Sequence, residues 1–378
     1  MKEVLKVYDV ELTAVGPVFI GSGKEIGKKE YAFSPSEKRI FVMDLSKLSL
    51  LLSKNNLISE YGRFMLGDSR EDLGSWLERH KVSKKDSMQC AKYQVDCQDA
   101  VIDTHSKLSV LEFVKDAYGM PYVPGSSLKG MLRTIIQAYD LSQNPEKYES
   151  LAEQIEGIIR TNRRRQRMIC QKESIKMESV CFKTLKRSTT KVDDAVNDKM
   201  AGMVVSDSEP LTNQDLVLCQ RLELHTDGTE KKLNTLRETL RPGTVIRFQI
   251  TVDTSICDVG KEYLEDAIEY FANNYYNCFL NHYPEIDRPD TQSVWLGGGS
   301  GFVTKTELYP MFGKYTGVEM TMGVFQAIGI SERHKHRKDK SLGVSPHICK
   351  VTYYHGKRYH MGHCRFCISE REAGNGKT

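Results

Sequence analysis

No window of this 378-residue chain approaches eighteen uninterrupted apolar residues, so the sequence holds no candidate for a membrane-crossing helix. Its opening, Met1-Lys2-Glu3-Val4-Leu5, runs straight into an alternating pattern. It lacks the apolar stretch and small-residue cleavage site of a secretory leader. The expectation is a cytoplasmic protein with reduced thiols. Ten cysteines are present, but they are scattered singly except in Cys364-Arg-Phe-Cys367. Most read as small buried apolar residues. Cys349, His360, His363, Cys364 and Cys367 contain ligand types for zinc. There is no second Cys-x-x-Cys knuckle, and the segment reads as a strand. Neither a metal nor a cofactor is expected. No Gly-Lys-Ser/Thr ending follows the glycine-rich run, which argues against a nucleotide-hydrolysing loop.

A catalytic set is also missing. His334 and His336 are the best candidates for a general base and acid acting on RNA. They sit among five basic residues, where histidines more often just bind phosphate, so no enzymatic activity is expected. Net charge is only +4 and says little about partners. Its distribution says more. From Arg160 to Lys191 eleven Lys/Arg stand against two acids, Glu173 and Glu178. A second cluster, Arg333-His334-Lys335-His336-Arg337-Lys338-Asp339-Lys340, follows later. Either could be a solvated loop, but two in one chain point to a polyanionic partner.

Hydrophobic periodicity supplies the elements. Alternation over Val4–Leu12 predicts a strand with apolar character on both faces, followed by Val15–Ile20 and the turn Gly21-Ser22-Gly23. Tyr31–Phe33 and Arg39–Val42 around Ser34-Pro35-Ser36 read as a hairpin. Asp44 begins a helix through Leu45, Leu48 and Leu52. Residues 53–109 are expected to form a largely helical insertion, and residues 160–199 a basic, irregular or partly disordered one. Pro124-Gly125-Ser126-Ser127 predicts a turn whose serine caps the helix carrying Leu128, Leu132, Ile135 and Ile136. Strands are predicted at Met203–Asp207, Gln220–His225, Val245–Val252 and twice between Ile348 and Ile368. A helix carries Leu264, Ile268, Phe271 and Tyr275. This order predicts an α+β fold with antiparallel sheets. The expected domains are 1–205, holding both insertions, and 206–378.

Two segments suggest phosphate binding. At the start of the predicted helix, free backbone N–H groups and the positive dipole end form a natural anion site. Lys129 and Arg133, four residues apart, share one helix face and add charge to it. Asp207 reads as a turn former. The run Gly297-Gly298-Gly299-Ser300-Gly301, with Lys305 beyond it, would let an RNA backbone come close to the main chain.

The segments Tyr122–Arg133, Leu296–Phe302, Met203–Asp207 and Leu12–Gly23 together resemble the RAMP superfamily. The resemblance implies two ferredoxin-like (RRM-like) domains. Within it, the Gly21-Ser22-Gly23 opening and Trp295–Lys305 are most similar to the guide-RNA-capping subunits of type III-A CRISPR effector complexes. What this implies is a non-catalytic subunit that binds crRNA near its 3′ end, caps the backbone filament and supports crRNA maturation in antiviral defence. The implied partners are crRNA, target RNA, the repeating backbone RAMP, the small helical subunit and a recruited host nuclease. The RNA-binding residues would be Gly21, Ser22, Gly23, Ser126, Ser127, Lys129, Arg133, Gly297, Gly298, Gly299, Ser300, Gly301, Lys305, Arg333, Lys335 and Arg337. The long basic stretch departs from the family pattern. The competing readings are a metal-independent RAMP endoribonuclease acting on precursor crRNA, and another RAMP position in the same complex.

Overall fold

The structure is a computed structural model that describes residues 4–68, 71–100, 109–162, 164–191 and 193–371. The opening strand, Leu5–Ala14, alternates as predicted: Tyr8, Val10, Leu12 and Ala14 are buried while Glu11 faces solvent. It lies at the centre of a five-stranded antiparallel sheet ordered Ser293–Trp295, His363–Glu370, Leu5–Ala14, Val245–Asp253, Met203–Val205. The helices Gly125–Gln143 and Lys261–Cys278 share a core with its inner face through Leu128, Leu132, Ile135, Leu264, Ile268 and Phe271. The outer face is polar. There Arg247 pairs with Glu11 at 2.8 Å and Arg371 with Asp9 at 2.5 Å.

The second sheet has nine strands. Its main path runs Gly21–Ile26, Val110–Phe113, Glu230–Leu240, Leu216–His225, Ala91–Asp96, Arg39–Met43, Tyr31–Ser34. The strand Ile348–Tyr354 also pairs with Leu216–His225, and Lys357–His360 completes its hairpin. Both sheets therefore join strands from either side of residue 205, and one hydrophobic core runs through both. The expected division at 205/206 does not coincide with a break in the hydrogen-bonded sheets.

Two expectations for the insertions change. Ile58–Leu66, Leu73–Arg79 and Lys84–Gln89 do form helices, but Ala91–Asp96 is a strand, held because Val95 is buried against the sheet. With the preceding helix Leu45–Lys54 they bury Leu48, Leu52, Tyr61, Phe64 and Trp76 in a satellite core of their own. Residues 101–108 lie outside the described residues. The basic stretch contains a helix, Gln171–Phe182, whose Met177, Cys181 and Phe182 are buried. These three buried side chains, outnumbered in the sequence by eleven Lys/Arg, anchor it. The predicted strand at Val15–Ile20 is reduced to single bridges at Val18 and Phe19.

Candidate nucleic-acid interface

After Ser293–Trp295 the chain turns through the glycine-rich loop. Gly297, Gly299 and Gly301 have φ of +81°, +104° and +107°, values that strongly favour glycine. A Cβ on Gly297 would lie 2.3 Å from the carbonyl oxygen of Phe19. Gly298 N donates to that same oxygen at 2.7 Å. A Cβ on Gly299 would meet Arg237 Nη1 at 2.8 Å. Ser300 is fully buried, and its Oγ donates to Gly297 O at 2.9 Å. At Gly297 and Gly299 the missing side chains therefore admit the protein's own Phe19 backbone and Arg237. The loop and the segment leading to Gly21-Ser22-Gly23, far apart in sequence, meet at Phe19.

Beside this loop stand four cations. Leu216–His225 carries Arg221, Glu230–Leu240 carries Arg237, Ile348–Tyr354 carries Lys350, and the loop's end carries Lys305. Burial, and then the positive charges of Arg221, Arg237 and Lys305, push the Lys350 ammonium down to about 8. Arg237 is lowered by burial and by Arg221. Arg221 Nη2 donates to Glu223 Oε1 at 3.1 Å, and Arg237 Nη1 reaches Gly298 O at 3.4 Å. The Nε–H groups of both arginines are buried without an acceptor among the described residues. Such a donor costs about 1–3 kcal/mol or more when left unpaired. Four mutually repelling cations with orphaned donors are what an entering oxyanion would relieve. A cavity of about 200 Å³ opens beside two of them, Arg221 and Lys350, with Glu223, Ser300, Gly301 and His360 also in its wall.

The helix start behaves differently. Pro124 occupies the cap position, and no side chain of its own caps the helix. Ser126 and Ser127 lie in the first turn rather than capping it. Instead Gly125 N donates to Asp207 Oδ1 at 2.8 Å, so Asp207 supplies the anion at this dipole end and is more than a turn former. Lys129 Nζ donates to the carbonyl oxygens of Met200 (2.8 Å) and Met203 (2.6 Å). Arg133 Nη1 donates to Asp198 Oδ2 at 3.0 Å, and its guanidinium stacks 4.1 Å over the Phe182 ring. Both cations thus tether the segment before Met203–Val205, contrary to the expectation that they await a phosphate.

Of the other expected residues, Gly21, Ser22 and Gly23 lie on an edge strand of the larger sheet, where Ser22 Oγ donates to Glu112 Oε2 at 3.1 Å. Arg333, Lys335 and Arg337 are exposed, and Arg337 pairs with Glu332. Arg333, Lys335, His334 and His336 line a second cavity of about 210 Å³, which shares Glu223, His334, His336 and Ile348 with the first. The candidate zinc residues do not converge. Cys364 is buried and Cys367 is exposed, because three residues along a strand place them on opposite faces. His360 Nδ1 accepts from Trp295 Nε1 at 2.8 Å. Burial, then His363, pushes His360 down to about 3, and burial lowers His363 to about 4. Both rings are neutral at pH 7.

The sequence profile of the RAMP superfamily matches residues 11–289, and the chain belongs to that superfamily. It is 28% identical over 396 residues to the CRISPR system Cms protein Csm5 of Mycobacterium tuberculosis, covering 98% of this chain and 100% of that relative. To the protein of that name in Streptococcus thermophilus it is 25% identical over 319 residues, 81% of each. One chain of the Csm-crRNA-target RNA ternary complex of a type III-A CRISPR-Cas system superposes with a TM-score of 0.59 at 17% identity, over 96% of this chain and 100% of that one. Csm5 of T. onnurineus does so with a TM-score of 0.56 at 16% identity, over 94% and 99%. The expected α+β fold of RAMP type is borne out. Among the described residues no helix is long and apolar enough to cross a membrane.

Proposed function

We propose that this chain is the Csm5 subunit of a type III-A Csm ribonucleoprotein and holds the crRNA near its 3′ end without cutting it. The observation that carries this reading is the convergence of Arg221, Arg237, Lys305 and Lys350 beside the glycine loop, with buried arginine donors lacking an acceptor. A guide-RNA holder must grip phosphates and leave sequence reading to base pairing. The near full-length similarity to Csm5 proteins supports the place in the complex. It also supports crRNA, target RNA and the other Csm subunits as partners. In this reading the edge segment Gly21–Gly23 and the exposed Arg333, Lys335 and Arg337 extend the track, and the Lys129 and Arg133 helix braces it.

The test is a reconstituted complex with photo-crosslinkable guide RNA. Crosslinks from this subunit should fall in the 3′ portion of the guide, and Arg221→Ala with Lys350→Ala should weaken them. Crosslinks confined to the 5′ tag would place the chain elsewhere in the assembly. Metal-free cleavage of repeat RNA by the purified protein, lost in His334→Ala or His336→Ala, would replace the reading with the endoribonuclease.

A further inference from the structure

The basic segment after the long helix Leu308–Ile328 is built from three very short turns, Glu332–His334, His336–Lys338 and Asp339–Leu342. Turns of this length cannot hold themselves in place. What pins them is Asp339, whose 0% exposure is unusual for a carboxylate. His336 Nδ1 lies 3.0 Å from Asp339 Oδ2, and His347 Nδ1 lies 2.5 Å from Asp339 Oδ1. Ser345 Oγ donates to Oδ2 at 2.6 Å. Among the described residues, the ion-pair partners of Asp339 are these two imidazoles alone. The neighbouring cations turn away: Lys340 pairs with Glu319 at 2.7 Å, and Arg337 with Glu332.

We propose that His336, Asp339 and His347 bind one divalent transition-metal ion, best matched by zinc, which locks the basic segment at the wall of the cationic cavity. Two imidazoles and one carboxylate are a donor set for a zinc or iron type of ion, not for calcium or magnesium. One ligand atom from each residue already lies within 4.8 Å of the other two. The His336 and His347 ring centroids are 5.2 Å apart with planes at 59°. Two imidazoles on a tetrahedral zinc, at bonds of about 2 Å, stand about 5 Å apart between centroids. The rings are thus already at that spacing. Their Nδ1 atoms sit at hydrogen-bond distance from the carboxylate, so the ion would replace the two Nδ1 protons and open these contacts by less than about 1 Å. A dication would also balance the negative charge of the fully buried Asp339 carboxylate. His336 lines both cavities, so the ion would fix one wall of the site above. The inference does not depend on which nucleic acid occupies that site.

The test uses the full chain, stripped with a chelator and dialysed against zinc. Metal content, Co²⁺ absorption in the visible range and the thermal unfolding midpoint with and without zinc are measured. The variants are His336→Ala, whose side chain is 16% exposed, and Asp339→Asn, which keeps the shape of the carboxylate. His355→Ala, at an exposed hairpin tip, is the control. Wild type and His355→Ala should hold one zinc per chain, give the intense bands of tetrahedral Co²⁺, and unfold at a higher midpoint with zinc. The other two should bind at least about tenfold more weakly and lose the midpoint shift, with circular dichroism confirming the fold. If Asp339→Asn unfolds, His336→Ala decides. A folded wild type that retains no zinc, or zinc binding unchanged in the folded variants, overturns the proposal and leaves the triad as a hydrogen-bonded staple.

Discussion

Two regions carry the positive charge that suggests phosphate binding, and they use it in opposite ways. At the start of Gly125–Gln143, Lys129 and Arg133 are matched by the Met200 and Met203 carbonyls and by Asp198. Beside the glycine loop, Arg221, Arg237, Lys305 and Lys350 crowd one another with Glu223 as the nearby acid. Spacing along a helix shows that two cations share a face. It does not show whether the protein has already neutralised them. A cation with a protein partner stabilises the fold, and a cation without one is available to a ligand.

The sharpest break in that comparison comes from the loop itself. Gly297→Val should destabilise the protein by roughly 3 kcal/mol or more, because its Cβ would lie 2.3 Å from Phe19 O at φ +81°. Denaturant unfolding measures this. A stable variant that merely loses RNA would mean that the glycine serves the ligand and not the fold. Next, Arg221→Ala with Lys350→Ala should weaken guide binding by about 2 kcal/mol and flatten the salt slope by about 2, one for each lost phosphate contact. Stability should change little, because the relief of mutual repulsion is offset by the loss of Arg221's bond to the buried Glu223. Binding titrations at several salt concentrations read both quantities, and an unchanged slope would dissolve the contrast.

Lys129→Ala should show the reverse pattern. Two carbonyls lose their donor, so stability should fall by about 1.5 kcal/mol while RNA affinity stays the same. A drop in affinity with unchanged stability would return this helix to the interface. A smaller effect is pH-dependent. Lys350 has a folded value of about 8, below the ordinary lysine value of 10.5. Between these values the unfolded chain binds more protons, so this residue's contribution to stability rises with pH across the window from about 8 to 10.5. The difference in unfolding free energy between wild type and Lys350→Met should shift in wild type's favour over that range, and bound RNA should suppress the shift. A flat difference would place Lys350 in an ordinary solvated setting. The smallest change is expected for Arg333→Ala, about 0.5 kcal/mol in binding and confined to low salt, because an exposed charge is screened.

Much of the framework was legible before any coordinates. Alternation at Tyr8, Val10 and Leu12, the Asp44 cap, the hairpin around Ser34-Pro35-Ser36 and the helix through Leu264 and Phe271 all follow from local periodicity and turn chemistry. The helix Leu308–Ile328 was not legible. Gly313 breaks it with φ +66° and ψ −172°, Gly317 and Gly323 lie inside it, and no single apolar face repeats. Gly317 lets Tyr309, from before the break, and Gly323 lets Ile159, from the helix Glu149–Thr161, pack closely.

For the candidate site, the sequence by itself determined that a glycine-rich loop exists, that basic residues cluster, and that the order of motifs is of RAMP type. Those are properties of neighbours along the chain. Only the tertiary structure decided which cations are matched by acceptors and which crowd one another. Arg221, Arg237 and Lys350 come from three strands far apart in sequence and meet because Leu216–His225 pairs with Glu230–Leu240 on one side and Ile348–Tyr354 on the other. The one local hint was a cation inside the apolar run Leu216-Val-Leu-Cys-Gln-Arg-Leu-Glu-Leu224, where burying an uncompensated charge is costly. In the same way Asp207 caps a helix more than eighty residues before it, and Asp339 gathers His336 and His347 from either side. Whether a charge is free depends on what folding brings within about 3 Å of it, and sequence distance carries no record of that.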